Sequence, residues 1–158
     1  MICVLDSLYL QIHPDSSLLR WEWRGIMSPP RFQVAFNQLL AYSVRYRVQR
    51  WMADTAAMPP VGSSEQAWFS DEWLPQANNQ GLALKNFALV LPANLHNQLA
   101  LESMLADGRR YWSINVQFFS DTTTALDWLT NSSAVLYALE GEWQAAHTIG
   151  WQAGSLVA

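Results

Sequence analysis

Residues 50–73, RWMADTAAMPPVGSSEQAWFSDEW, decide the fold. Trp51, Met52 and Ala53 form an apolar run without alternation, closed by Asp54. That pattern suits a short strand, 51–54, buried on both faces. Residues 56–61 hold Pro59 and Pro60, neither of which can donate to a ladder, so they read as loop. Gly62-Ser63-Ser64-Glu65-Gln66 has capping-box spacing, with Ser63 as the expected N-cap and Gln66 three residues on. A helix is predicted to follow through Ala67, Trp68, Phe69 and Trp73, limited by Pro75. Trp68 and Trp73 lie five apart and are expected on different sides of it. Strand, loop and helix in that order are half of a βαβ unit. Open α/β sheets place their working residues beyond the carboxyl ends of such strands.

Upstream, 8–12 and 18–24 read as two strands joined by the turn His13-Pro14-Asp15-Ser16-Ser17, with 2–5 extending the first and Gly25 ending the second. Ser28-Pro29-Pro30 opens a helix to about Val48. Phe32, Ala35, Phe36, Leu39, Leu40 and Ser43 fall on one face at helical spacing. Val34, Ala41, Val44 and Val48 make a second, nearly opposite stripe. A helix lying on a sheet needs only the first stripe. The second is therefore expected to be buried, under a second subunit or under the tail folded back.

Downstream, 82–91 is the strongest strand, and its second half reads as central. Asn94 is expected to cap a helix through Asp107, ended by Gly108 in the left-handed conformation. Residues 111–119 form the next strand, with Ile114, Val116 and Phe118 on one face. Asp121 caps a last helix carrying Ala125, Trp128 and Leu129. Asn131-Ser132-Ser133 reads as a linker to a less regular, apolar tail. The prediction is an α/β chain in the order β-β-α-β-α-β-α-β-α. Its sheet is mixed and mostly parallel, of about five strands, with helices packed on it.

Composition limits the function classes. The 158 residues suffice for one domain. Hydrophobic residues make up 51% and charged residues 14%, and there are nine Trp, so some apolar surface is expected to meet a partner. The net charge is −4, with six of the nine basic residues in the first 50 positions. These Arg are not interleaved with stacking aromatics, so no nucleic-acid partner is expected. Cys3 stands alone, which fits a reducing compartment. The start, MICVLDSLYLQ, lacks the basic segment of a signal peptide, and no run reaches membrane-span length. The expectation is a cytoplasmic protein with no transmembrane segment.

The predicted order resembles the STAS family, the domain of sulfate transporters and anti-sigma-factor antagonists, and within it a stand-alone bacterial branch. It also resembles the CRAL-TRIO lipid-binding fold. The residues that carry this are the strand ending in Asp54, Trp68 in the next helix, Glu72-Trp73-Leu74-Pro75, Phe119-Ser120-Asp121, and Ala125-Leu126-Asp127-Trp128-Leu129. The resemblance covers about 8–130. It implies a STAS-like domain over 1–130, with 131–158 as an extension that either packs back on the domain or meets a partner. In anti-sigma antagonists this loop ends in Asp-Ser-Ser-Gly, with a phosphorylated Ser. Ser63 and Ser64 stand at the matching distance here, but Gly62 and Glu65 replace the flanking Asp and Gly. By the residues alone Ser63 is a cap. By the resemblance, Ser63 and Ser64 are phosphoacceptor candidates.

No G-x-S-x-G, H-E-x-x-H, P-loop or G-x-G-x-x-G occurs. His13, His96 and His147 share no ligand spacing, so no metal is expected. No cofactor and no catalytic residue are assigned. A rim of candidate ligand or partner residues remains: Asp54, Thr55, Asn94, Asp121, Trp68 and Trp73. Asp54 is read first as fixing its own loop, and second as a site beside helix N-termini that favour anions. The expected function is a non-enzymatic STAS-like interaction module that self-associates or meets another protein. The alternative is a CRAL-TRIO-like binder of a small apolar ligand.

Overall fold

Alternation of side chains along each strand places apolar groups on both sides of a single sheet. The computed structural model describes residues 1–150 and the backbone of a short strand, Leu156–Val157. Strands β1 (Ile2–Val4), β2 (Leu8–His13) and β3 (Leu18–Trp23) form an antiparallel meander. β4 (Arg50–Asp54), β5 (Asn86–Val90) and β6 (Asn115–Phe119) then add in parallel, each beside the strand before it. The order is β6-β5-β4-β3-β2-β1, with β7 (Leu156–Val157) antiparallel to β1 at the far edge. From β6 to β1 three pairings are parallel and two antiparallel, so the sheet is mixed and mostly parallel.

On one face lie α1 (Pro29–Arg45), the segment from α2 (Ser63–Trp68) to α3 (Leu74–Asn79), and α4 (Leu95–Gly108). Their core holds Phe32, Leu39, Trp73, Leu101 and Met104 against Leu10, Trp21, Trp51, Phe87 and Leu89. On the other face, α5 (Thr122–Thr130) packs Ala125, Leu126 and Leu129 onto Leu18, Met52, Ala88 and Val90. α6 (Ser133–Ile149) adds Leu139 to this cluster and sets Trp143 and Ala146 over Ile2 and Val4. Met52 is therefore buried on one face and Trp51 and Ala53 on the other, as their unbroken apolar run predicts. A fully buried side chain such as Met52 contributes roughly 1.5–3 kcal/mol.

Several expectations are corrected. Residues 2–4 are a separate strand, because Leu5 turns the chain by donating its N–H to Leu8 O at 2.8 Å. α1 ends at Arg45, and Val48 lies beyond it in the core. Pro75 does not stop its helix. A π turn, Phe69–Trp73, joins α2 to α3, and the Leu74 N–H bonds back to Phe69 O. This changed register sets Pro75 in the first turn of α3, where its missing N–H is not needed. The π turn also brings residues five apart toward one side. Trp68 meets Phe32 and Trp73 meets Phe36, one turn apart on α1, so the two indoles do not diverge. Strand β5 is only the second half of 82–91, and β6 only the last part of 111–119. Gly108 is helical rather than left-handed, and a side chain there would meet Leu74. Among the described residues of the tail, Ser133–Ile149 form a helix rather than irregular chain. Asn131 turns left-handed, Ser132 caps α6 by accepting from Val135 N–H, and the helix packs back on the sheet.

Candidate functional site

The carboxyl ends of β3 to β6 gather the rim residues, and their hydrogen bonds decide what each can do. Asp54 ends β4, and its Oδ1 accepts the Ala56 N–H at 3.1 Å, a local Asx-type turn. Thr55 is fully buried and donates its hydroxyl to Val90 O at 2.6 Å, tying β4's exit to β5. Asn94 caps α4 through the Asn97 N–H at 2.8 Å. Asp121 caps α5 through the Thr124 N–H at 2.8 Å and also accepts the Thr124 hydroxyl at 3.0 Å. The Thr124 N–H, and then its hydroxyl, hold the Asp121 carboxyl below the usual carboxylate range.

Ser63 is not the N-cap. Gly62 holds that position and no side chain caps α2. Glu65 folds back instead: a side chain at Gly62 would come within 2.5 Å of its Oε2. Ser63 and Ser64 are both exposed. Trp73 is buried and donates its Nε1–H to Phe36 O at 2.8 Å, while Trp68 is half-buried beside Phe32. Both indoles therefore serve the contact with α1. Of the second α1 stripe, Val34, Ala41 and Val44 are exposed, and residues 134–139 do not cover them because α6 lies on the opposite face of the sheet. Val48 is separate from the stripe and buried.

Three features were missed in sequence. The first is Asn97, fully buried at the start of α4. Its Oδ1 accepts the Val61 N–H at 2.9 Å, and its Nδ2 donates to Met58 O at 2.9 Å and Pro59 O at 3.0 Å. His96 Nε2 and Gln66 Nε2 also lie on Val61 O, at 2.7 and 3.0 Å. One helix start thus clamps the proline-bearing loop, and nothing local in sequence marks such a long-range amide.

The second is a polar patch beneath α6. Arg20 is buried, with Nη1 2.8 Å from Glu140 Oε1 and its guanidinium 3.8 Å from the Trp143 ring centre. Gln11, also buried, donates to Leu139 O at 2.8 Å and Glu142 Oε1 at 3.0 Å. Glu142 further receives the Met1 amino group at 2.8 Å. Glu22 stands beside Asp54 in register on the same face. Burial first, and then the Asp54 carboxylate, raise the Glu22 carboxyl above its ordinary range, against the pull of Arg20. Alternation of Gln11, Arg20 and Glu22 with apolar neighbours suggests a solvated face. The signal that α6 covers it is Leu136, Leu139, Trp143 and Ala146, spaced three, four and three apart.

The third is a pair of small apolar voids between the sheet and the segment from α2 to α4. One, of about 50 Å3, touches Trp21, Phe36, Trp51, Phe69, Phe87 and Met104. The other, of about 40 Å3, adjoins it and reaches Trp73, Leu84 and Trp112. Neither has room for a lipid chain.

Among the described residues no group of three or more His, Cys, Asp or Glu is placed to hold a metal ion, and no helix is long and apolar enough to cross a membrane. Comparison with protein-family models, curated proteins and solved structures returns no match. The rim residues therefore hold turns, caps and loops in place. Large apolar groups remain in the open on the back of α1, on α4 at Leu95 and Leu99, and beside β6 at Leu91 and Phe118.

Proposed function

We propose that the chain is a non-enzymatic, STAS-like interaction module acting in the cytoplasm, its partner a second copy or another protein. One observation carries this reading. Exposed Leu91, Leu95, Leu99 and Phe118 sit outside a core whose apolar voids described above are about 50 and 40 Å3. Apolar surface of this kind marks association sites. The buried lone Cys3 is in keeping with a reducing compartment. Ser63 and Ser64, exposed at the start of α2, are open to a kinase, so the phosphoacceptor role remains part of the proposal.

The second reading is an apolar-ligand carrier. Its support is the π turn lining both voids, since π turns recur at functional sites. It requires α4 to move away from the sheet. Native mass spectrometry of the purified chain separates the two. The module reading expects no small molecule retained on the folded protein. A molecule of several hundred daltons bound one to one would replace it with the carrier.

A further inference from the structure

We infer that β6 is a self-pairing edge, joining two copies of this chain antiparallel into one continuous sheet. This rests on the interaction-module reading and names its surface and partner.

The backbone argument is one of parity. The Asn115 N–H bonds inward to Lys85 O at 2.9 Å, and Phe119 O accepts inward from the Leu91 N–H at 3.0 Å. Residues 115, 117 and 119 therefore face β5, and the N–H and C=O groups of Val116 and Phe118 face outward. Among the described residues β6 pairs with β5 alone. A two-fold axis through Gln117 sets Val116 opposite the second copy's Phe118, and the reverse. All four outward groups then pair in both copies, and Gln117 meets its own counterpart as a non-hydrogen-bonded pair.

The side chains suit the same register. Val116 and Phe118 stand opposite Phe87 and Leu89, on the α4 side. Across the axis they become apolar cross-strand pairs. Phe118 shares a groove with Leu91, Gln98 and Glu102. The strand Asn115-Val116-Gln117-Phe118-Phe119 has no charge and no proline, the usual means of blunting an edge.

Charge selects a second copy, in antiparallel sense. The amino end of β6 carries exposed Arg109, which lines a shallow groove with Trp112 and Ile114, while Arg110 beside it pairs with Asp107 at 3.5 Å. The carboxyl end is acidic, with Glu102 beside Phe118 and Asp121 just after the strand. Antiparallel pairing sets the basic end of each copy against the acidic end of the other, twice by symmetry. Parallel pairing would oppose like charges.

Sedimentation equilibrium on the full chain, with three variants, tests this. The native chain is expected as a dimer. Phe118→Lys should weaken it by roughly thirtyfold or more, as losing an interface aromatic does. Val116→Pro should weaken it too, because it removes only an outward N–H. Gln117→Cys should form a disulfide-linked dimer on mild oxidation, since facing residues of a non-hydrogen-bonded pair lie about 4.5 Å apart at Cα. Asn37→Cys, exposed on α1, should not. A monomeric native chain would overturn the pairing, as would a dimer that ignores Phe118→Lys and dissociates with Val44→Glu. Either result leaves the interaction-module reading standing, because only a retained small molecule removes that.

Discussion

Asn97 holds three backbone groups of the loop after β4 without any contact to solvent. Removing its amide strands those groups in a buried setting. Asn97→Ala is expected to cost about 2–3 kcal/mol, read from urea unfolding. Ser63→Ala should change stability by less than about 0.5 kcal/mol, because the hydroxyl caps nothing. Glu22 gives a pH-dependent counterpart. Its carboxyl is raised above the ordinary value of 4.5, by burial and by Asp54. A carboxyl raised on folding adds stability below its unfolded pKa, and that is lost as pH rises through the folded value. Glu22→Gln should therefore raise the melting temperature at pH 7, and the gain should shrink toward pH 4. A gain that is flat with pH would show that the Glu22 carboxyl is not raised on folding.

Among elements, α6 has the largest consequence for its length. It covers a sheet face that carries Gln11 and Arg20, so losing its contacts strips these polar groups of their partners as well as exposing apolar ones. Trp143 is 4% exposed and shields the Arg20 guanidinium. Trp143→Ala is expected to destabilise by roughly 3–5 kcal/mol in chemical denaturation. Trp143→Phe should restore a good part, because a ring stays over the cation. The elements also show where sequence reading works. The unbroken run of β4 and the stripe of Phe32, Ala35, Phe36, Leu39 and Leu40 on α1 are local periodicities, and both stand as expected. So do the caps at Asn94 and Asp121. The π turn is not local in this sense: Pro75 reads as a stop, and only packing against α1 and α4 favours the longer path. There Ser70 donates to Asp107 at 2.5 Å, and Trp73 donates to Phe36. The polar patch was hidden for a similar reason, since its cover arrives from more than 100 residues away.

For the whole molecule, the back stripe of α1 is narrower than its sequence suggests, with Val44 37% and Val34 54% exposed. Val44→Glu should leave both melting temperature and sedimenting mass unchanged, because neither the fold nor the β6 pairing uses that face. A fall in mass would assign the dimer to α1. The sheet's frame was legible because each βα step repeats the same apolar logic. Its outer partners were not, since an edge strand and an exposed helix face carry the same residues with or without a neighbour.

The strand order has one more consequence, for how the chain reaches this state. From β1 to β6 every strand lies next to its predecessor in sequence. During synthesis each new strand pairs with the one made just before it, the parallel steps closing over the crossovers that hold α1, α2 to α3, and α4. α6 breaks that rule by returning to β1 and β2, made well before it. Until it arrives, Gln11 and Arg20 keep their water. Docking α6 is therefore a dehydration, sealing polar groups that the nascent sheet carries wet.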